Sequence, residues 1–510
     1  MTTTSKWDKR WILGGALALA VVVVAALVLI TQLRGPGQVP TPTYWPTQGW
    51  RSSTPEEQGF DSAKLAEGIL AMRENGIRTH SLLMIRYGSV FLDAYFYPYD
   101  GSNYHDLASV TKSLMTTLIG IAADQGRLDL DQPMVSFFPD RTIANLDDRK
   151  EHITVRHLAS MVNGFESGCL RGDEPTLNAM RAKADWVQAA LDREMVREPG
   201  SVFCYDSPGM HLLSAILQEA TGMPALDFAR ANLFEPLGIE HVYWPSDPQG
   251  YTDGWGDASL LPRDAAKIGY LWLNNGVWEG KQIVSAAWVK NSVTAQSRSG
   301  GDDYGYGWWV SEESYYASGR GGQKIMVVPS LNLIVVETGG GFESDEIDQY
   351  LRAALIDPNK PLPPNSAGVD RLKAALAAVG QGPAPQPLPP LPATASAVSG
   401  STYVLEPNPV NLRSARLDFD GSSEAVLHLD VAYEPAPRVT GVGLDGVYRQ
   451  SRVGRPAVAL GYWDDDQTFI VDYLEGPGLA TYTFRIAFDG EQMLFGFPGL
   501  GSFEGRVQSP

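Results

Sequence analysis

A serine and a lysine three residues apart, Ser109 and Lys112, stand at the start of a strongly apolar stretch of the sequence. On the first turn of a helix, such residues share a face, with their Cβ atoms about 5–6 Å apart. A serine hydroxyl becomes a strong nucleophile when a base removes its proton. A lysine can be that base when burial keeps its amine uncharged. The pair predicts a lysine-activated nucleophile, although Ser109 also fits an ordinary helix N-cap.

A tyrosine motif follows farther along the chain, in the stretch "EPGSVFCYDSPGMHLLSAIL". Pro208 suits a first helical turn and Ser207 suits a cap, so Tyr205 is expected on the loop just before a helix. From there its phenol could relay a proton between Ser109, Lys112 and a leaving group. The alternative is an ordinary half-buried tyrosine.

A glycine-dense bend, Gly319 to Gly322, separates two predicted strands. Glycine lets a backbone approach a ligand closely, so a strand edge near Arg320 could offer an N–H group to an oxyanion. A plain hairpin turn explains the same residues equally well. Gln323 either shapes this bend or pairs with the backbone.

The elements that must position these residues follow from hydrophobic periodicity. Two strands are predicted at 81–86 and 90–96, and the helix that begins at Ser109 comes next. The middle of the chain, about 127–300, carries mostly helical patterns, and strands and one helix then return. This order predicts one α+β domain, at 50–357, whose sheet joins segments from both ends of the domain.

Composition excludes several classes of protein. A net charge of −19 over 510 residues, without a basic stripe, argues against nucleic-acid binding. The sequence has no H-E-x-x-H motif and no clustered metal ligands, so neither a metal nor a cofactor is expected. The two cysteines, Cys169 and Cys204, form either a disulfide or two separate buried thiols.

The N-terminus predicts a membrane anchor. Residues 11–33 carry no charge and are long enough to cross the roughly 30 Å hydrocarbon core of a bilayer. Lys6, Lys9 and Arg10 precede this run, which places residues 1–10 in the cytoplasm and the rest of the chain outside it. A cleaved signal peptide is the competing interpretation. Residues 34–49 form a linker rich in proline and glycine.

The C-terminal part of the chain is predicted to fold separately. Residues 358–400 are rich in proline and are interpreted as a spacer with one short helical run. Residues 401–510 alternate in short strands and predict an all-β barrel or sandwich. This β region could bind a protein partner, a lipid or a glycan, and its sequence does not choose among them.

Five separated segments resemble the serine hydrolases of the β-lactamase and penicillin-binding-protein superfamily, in the family's order. The resemblance is greatest for the branch of class C β-lactamase-like esterases and 6-aminohexanoate-dimer hydrolases. The segments are "SVTKSLMTTLIGIAADQGRLDLDQPM", "ITVRHLASMVNGFES", "PGSVFCYDSPGMHLLSAILQEATG", "GDASLLPRDAAKIGYLWLNNGVWEGKQIVS" and "SGRGGQKIMVVPSLNLIVV". The likeness covers about residues 49–356. It implies an antiparallel sheet flanked by helices, plus a mainly helical subdomain.

The resemblance also implies roles. Ser109 would be the acylated nucleophile, Lys112 its proton acceptor and Tyr205 the second base and the acid for the leaving group. The backbone N–H groups of Ser109 and of a residue near Arg320 would form the oxyanion hole. Two motifs depart from the family's pattern, because Ser207 replaces an asparagine and Ala317-Ser318-Gly319 replaces Lys-Thr-Gly or His-x-Gly.

Both departures favour an esterase or amidase over a dedicated β-lactamase, because the lysine that recognises the β-lactam carboxylate is missing. The expected protein is a membrane-anchored, outward-facing serine hydrolase of a small ester, amide or peptide. The alternatives are a D-Ala-D-Ala-type peptidase or β-lactamase, and an inactive binding protein with the same fold. No G-x-S-x-G elbow is present, which disfavours a Ser-His-Asp hydrolase.

Overall fold

The computed structural model describes residues 42–167, 175–343, 345–432, 434, 436–475 and 480–508. The predicted anchor at 11–33 and Cys169 lie outside these residues. None of the helices that the structure describes is long and apolar enough to cross a bilayer.

A nine-stranded sheet forms the centre of the first folded region. Its strand order is β1-β3-β2-β14-β13-β12-β11-β10-β9, and every neighbouring pair except β1–β3 is antiparallel. The strands of this region are β1 (Arg51–Ser52), β2 (Thr79–Arg86), β3 (Ser89–Tyr95), β4 (His105–Asp106), β5 (Val242–Tyr243), β6 (Ser259–Leu260), β7 (Val277–Trp278), β8 (Lys281–Gln282), β9 (Ser297–Arg298), β10 (Asp303–Tyr304), β11 (Trp309–Val310), β12 (Tyr315–Gly319), β13 (Gln323–Val328) and β14 (Leu333–Gly339). Because β2 pairs with β14, the sheet joins both ends of the region, as predicted.

The central strand β2 is buried at all eight positions, because helices cover both faces of the sheet. The helices, in chain order, are α1 (Ser62–Glu74), α2 (Val110–Asp124), α3 (Asp148–Glu151), α4 (Val155–Ala159), α5 (Pro175–Arg181), α6 (Trp186–Leu191), α7 (Ser207–Thr221), α8 (Ala225–Ala229), α9 (Glu235–Leu237), α10 (Pro262–Leu273), α11 (Ala286–Ser292), α12 (Asp345–Ala354), α13 (Ser366–Gly380) and α14 (Ala393–Val398). On one face α1 and α12 share a core with the strands. On the other, α10 approaches so closely that Gly269 lies against Ile325 and Ile334.

The proline-rich segment 358–400 is more than a spacer. Its helix α13 is capped by Asn365, whose side chain accepts a hydrogen bond from the Gly368 N–H at 2.9 Å. Leu372, Ala375 and Val379 of this helix are buried in the same core as α1. The apolar stripe of α13 therefore belongs to the first region, whereas Ala395 and Val398 of α14 are buried and Val398 belongs to the core of the barrel described next.

The second folded region is a closed barrel, which is one of the two all-β alternatives, barrel or sandwich, that the sequence predicts. Its ten strands pair in chain order, and the last closes on the first. They are β15 (Thr402–Leu405), β16 (Leu412–Phe419), β17 (Glu424–Val431), β18 (Arg438–Gly443), β19 (Arg449–Val453), β20 (Ala457–Trp463), β21 (Thr468–Glu475), β22 (Ala480–Asp489), β23 (Gln492–Phe497) and β24 (Gly501–Val507). In β17 buried and half-buried residues alternate, since side chains in a strand point alternately into and out of a barrel.

Candidate active site

Ser109 lies at the N-terminus of α2, immediately after a tight turn. Ala108 in that turn has a φ of +47°, and its N–H donates to Asp106 Oδ1 at 2.6 Å. Thr111 closes the turn, because its hydroxyl donates to the Ala108 carbonyl at 2.6 Å and accepts the N–H of Ala258 at 3.1 Å. These bonds hold the serine at the helix N-terminus, where the N–H groups of Val110, Thr111 and Lys112 donate to the carbonyls of Leu107, Ala108 and Ser109.

Lys112 extends from the next turn towards Ser109. Its Nζ lies 2.9 Å from Ser109 Oγ and 2.8 Å from the carbonyl oxygen of Trp255. The side chain is 1% exposed, and both of its hydrogen-bond acceptors are neutral oxygens. The predicted i,i+3 pair is therefore in direct contact, at a distance that permits proton exchange. Trp255 was not foreseen, because a backbone carbonyl leaves no mark in a sequence.

Tyr205 is next to the same amine. Lys112 Nζ lies 4.6 Å from the centroid of the Tyr205 ring, which stacks on Trp309 at 6.1 Å and 16°. The ring is half-buried, and its backbone carbonyl accepts a hydrogen bond from Ser167 Oγ at 3.0 Å. The three side chains that the sequence analysis singled out thus meet around Lys112.

Asp206 anchors the loop that carries Tyr205. Its buried carboxylate accepts two bonds from Arg193, at 2.7 and 3.0 Å, and one from Asn163 Nδ2 at 2.8 Å. Asp206 also occupies the N-cap of α7, which the sequence analysis gave to Ser207. Ser207 is instead the first residue of the helix and is buried. A bidentate contact between an arginine and a carboxylate fixes both groups in one orientation. Asp206 therefore positions the neighbouring Tyr205.

The glycine bend faces the nucleophile. A Cβ on Gly319 would collide with the Leu107 carbonyl oxygen and stand 3.0 Å from the Ser109 nitrogen, so only glycine fits this contact. Strand β11 pairs with β12 only at Tyr315 and Tyr316. The residues from Ala317 to Gly319 therefore pair with β13 on one side and have no partner from β11 on the other. The edge therefore lies beside the N–H of Ser109, where an oxyanion would be bound.

Gln323 is buried and fills both of the roles considered for it. Its amide donates to the carbonyls of Arg320 and Gly339, at 3.1 and 2.8 Å, and accepts the Gly339 N–H at 3.0 Å. By pairing with the backbone, it holds the bend between β12 and β13. Arg320 is exposed and lines a cavity next to the site.

Titratable groups surround the turn before Ser109. Burial, reinforced by the negative charge of Asp257, raises the pKa of Asp106 to about 7, although Arg455 opposes this shift. Burial lowers the pKa of His105 to about 4. His105 Nε2 and His80 Nδ1 share a hydrogen bond of 2.8 Å. Burial lowers the pKa of His80 as well, so the two rings form a neutral pair behind the nucleophile turn.

The remaining predicted residues lie as follows. Cys204 is disulfide-bonded, whereas the other cysteine of the sequence, Cys169, lies outside the described residues. His157 lies in α4 and His211 in α7. In the described part of the chain no three His, Cys, Asp or Glu side chains are grouped closely enough to hold a metal ion.

The chain is similar to known hydrolases. The profile of the family described as "Beta-lactamase" matches residues 63–355. A 6-aminohexanoate-dimer hydrolase of Paenarthrobacter ureafaciens is 24% identical over 282 residues, covering 51% of this chain and 72% of that protein. A putative D-alanyl-D-alanine carboxypeptidase of Salmonella agona is 22% identical over 224 residues, covering 39% of this chain and 52% of that protein.

Solved structures share the fold of the first region. A putative 6-aminohexanoate-dimer hydrolase from Bacillus anthracis superposes with a TM-score of 0.51 at 20% identity, covering 61% of this chain and 88% of that chain. EstCE1, a hydrolase with promiscuous acyltransferase activity, superposes with a TM-score of 0.50 at 18% identity, covering 58% of this chain and 99% of that chain.

Proposed function

Because the chain belongs to the beta-lactamase family, we propose that it hydrolyses an ester or amide through an acyl-enzyme formed on Ser109. The single observation that carries this proposal is the 2.9 Å contact between Ser109 Oγ and Lys112 Nζ. A lysine amine beside a serine hydroxyl is the minimal arrangement for a nucleophile and its base.

In the first step, Ser109 Oγ attacks the substrate carbonyl carbon and its proton passes to the Lys112 amine. The carbonyl oxygen becomes an oxyanion, which the Ser109 N–H and the free edge of β12 would stabilise. Collapse of the tetrahedral intermediate breaks the bond to the leaving group, and Tyr205 delivers a proton to it. Lys112 then returns its proton to Tyr205.

The second step repeats this chemistry with water. The same bases take a proton from the attacking water, its oxygen bonds to the acyl carbon, and Ser109 leaves with its proton restored. The product is a carboxylic acid. Asp206 supports both steps indirectly, because its pairing with Arg193 and Asn163 keeps the Tyr205 loop in place.

The departures at two motifs support an esterase or amidase over a β-lactamase. The strand beside Ser109 carries Ala317-Ser318-Gly319, so it offers no lysine to a substrate carboxylate. Arg320 is the nearest cation on that strand edge, and it is exposed. The similarity to a 6-aminohexanoate-dimer hydrolase agrees with an amide or ester substrate.

The decisive experiment compares Ser109→Ala with Ser102→Ala, a substitution at an exposed serine outside the site. A serine-reactive fluorophosphonate should add one adduct to the parent protein and to Ser102→Ala, and none to Ser109→Ala. Turnover of a responsive ester should fall by roughly 10⁴-fold or more in Ser109→Ala alone. Equal turnover by Ser109→Ala and the parent would refute the nucleophile assignment.

A substrate panel separates the alternatives. p-Nitrophenyl esters and short amides test the proposal, a D-Ala-D-Ala peptide tests the peptidase, and nitrocefin tests the β-lactamase. Turnover of the peptide or nitrocefin with no ester or amide turnover would overturn the esterase or amidase assignment in their favour. A protein that forms no adduct and turns over none of them is the inactive binding protein.

We propose further that residues 11–33 anchor the protein in a membrane, with the hydrolase region outside the cytoplasm. The support is the uncharged length of this run and the basic residues before it. The full chain should sediment with membranes and be released by detergent but not by high salt, whereas a chain beginning at residue 42 should stay in the supernatant. A full chain that remains in the supernatant would refute the anchor.

A further inference from the structure

A cavity of about 650 Å³ lies between the hydrolase region and the barrel, next to the candidate active site. Two residues of its wall connect it to the reacting groups. Trp255 accepts the hydrogen bond from Lys112, and Arg320 directly follows Gly319, which packs against the Ser109 nitrogen. The volume falls within the range of about 300–1,000 Å³ typical of small-molecule sites.

The barrel supplies the apolar part of this cavity. Tyr482 stacks on Phe484 at 5.9 Å, and Phe497 contacts both rings at 5.0 and 5.4 Å. Phe484 belongs to the barrel core, whereas Tyr482 and Phe497 are only half-buried, so the core is open towards the cavity at this end. Other apolar barrel residues of the cavity wall include Val410, Leu412 and Phe495.

The arginines that the barrel adds to the cavity wall have carboxylate partners. Arg455 Nη2 lies 3.2 Å from Asp257 Oδ2, and this ion pair joins the barrel to the hydrolase region. Arg438 Nη1 lies 3.0 Å from Glu475 Oε2, and its guanidinium also pairs with Glu434 at 2.6 Å. Because these charges are already compensated, the wall does not call for a charged group in the space that the barrel adds.

Two further carboxyls of the wall favour the same conclusion. Burial raises the pKa of Asp106 to about 7 and raises that of Asp253 well above its ordinary value, in both cases helped by the charge of Asp257. These shifts favour the uncharged form of the two carboxyls, and the arginines that the barrel contributes are paired. The other arginines of the wall, Arg181 and Arg320, belong to the hydrolase region and are exposed to solvent. An apolar group can therefore enter the cavity without leaving a buried charge unpaired.

We propose that the open end of the barrel is part of the substrate site and accepts a neutral apolar chain of the ester or amide whose carbonyl reacts at Ser109. This inference rests on the proposed function for its chemistry, but occupation of the cavity does not depend on turnover. The substrate class is thus an ester or amide with a medium-length aliphatic or aromatic group, held by the ring cluster of Tyr482, Phe484 and Phe497.

The test uses the full chain and p-nitrophenyl esters of increasing acyl length. Tyr482→Ala should lower kcat/KM for the octanoate by about tenfold or more, mainly through KM, and leave the acetate almost unchanged. Tyr462→Ala is the matched control, because Tyr462 lies on β20 and is 50% exposed. It should change neither ester. A Tyr482→Ala protein that hydrolyses both esters as the parent does would overturn the proposal.

A second pair of variants covers the case in which Tyr482→Ala does not fold. Val410→Trp narrows the cavity from a half-buried loop position, and Val404→Trp adds the same ring at an exposed position of β15. Only Val410→Trp should lose activity on the octanoate relative to the acetate. Equal losses on the two esters would count against the proposal.

Binding without turnover distinguishes this inference from the proposed function. Methyl octyl ketone, a neutral unreactive ligand, should bind Ser109→Ala protein in calorimetry with a negative heat-capacity change, and ethyl methyl ketone should not. Suppose that the parent protein hydrolyses no ester, and that Ser109→Ala binds methyl octyl ketone but Ser109→Ala/Tyr482→Ala does not. This result would refute the proposed function and support the apolar substrate site. Ester hydrolysis that does not depend on acyl length, without ketone binding, would support the proposed function and refute the apolar substrate site.

Discussion

The hydrolase region and the barrel each bury a basic side chain near the cavity, and the two side chains have different partners. Lys112 in the hydrolase region donates hydrogen bonds to two neutral oxygens, those of Ser109 and Trp255. Arg455 in the barrel lies between two carboxylates, Asp257 and Glu475. A carboxylate beside Lys112 would hold its proton in place, whereas an arginine without carboxylates would be a buried charge without compensation. This difference agrees with the role proposed for Lys112 in proton transfer, and it gives Arg455 a role in joining the barrel to the hydrolase region.

The largest effect is expected from Lys112→Met. The substitution removes the base and roughly conserves volume, so kcat/KM should fall by about 10²–10⁴-fold. The free energy of unfolding should change by less than about 1.5 kcal/mol. Ester kinetics and urea unfolding measure the two quantities, with the exposed Lys373→Met as control. If Lys112→Met lost stability but not activity, Lys112 would have a structural role like that of Arg455 and no role in proton transfer.

A smaller effect, of the opposite kind, is expected from Arg455→Met. Its loss leaves Asp257 and Glu475 without their shared partner, which should lower the free energy of unfolding by about 3–5 kcal/mol. The matched control is Arg413→Met on β16, whose side chain is 59% exposed and whose pair with Asp430 is long, at 3.9 Å. That control should change the free energy by no more than about 0.5 kcal/mol. Equal effects in urea unfolding would contradict an assembly role for Arg455.

The smallest effect concerns the pH dependence of stability at the turn before Ser109. The pKa of Asp106 is raised in the folded protein, to about 7. The native carboxyl therefore binds more protons than the unfolded one between about pH 4 and pH 7, and its contribution to stability is lost as the pH rises through this window. His105, whose pKa is lowered to about 4, contributes stability that is present above about pH 6.5 and is lost as the pH falls.

Asp106→Asn should remove the contribution of this carboxyl, which opposes that of His105. In this variant the free energy of unfolding should rise more steeply with pH between 4 and 6.5 than in the parent, because the opposing carboxyl is gone. Urea unfolding across this range measures the slopes, and Asp140→Asn, at an exposed aspartate, is the control. Identical slopes in Asp106→Asn and the parent would show that this carboxyl does not titrate in the window.

Local pattern was enough for much of the fold. The strand pair around Gly88 appears at Thr79–Arg86 and Ser89–Tyr95, within two residues of the predicted ranges. The choice between barrel and sandwich was beyond the sequence, because both have the same alternation along each strand. The sequence predicted a short helical run at α13 but not its packing in the first core. Prolines flank the helix on both sides, and proline content does not indicate what the apolar stripe between them packs against.

The sequence by itself determined that Ser109 and Lys112 meet, because they lie on one helical turn and their contact needs no other part of the chain. The positions of Tyr205, of the Trp255 carbonyl and of Arg455 depended on the tertiary structure. Each comes from a segment far away in the chain, and only packing of the sheet, the helices and the barrel brings it to α2 or to the cavity beside it. The contact between Ser109 and Lys112 is thus encoded locally, while its environment results from long-range packing, which the periodicity of a single segment does not contain.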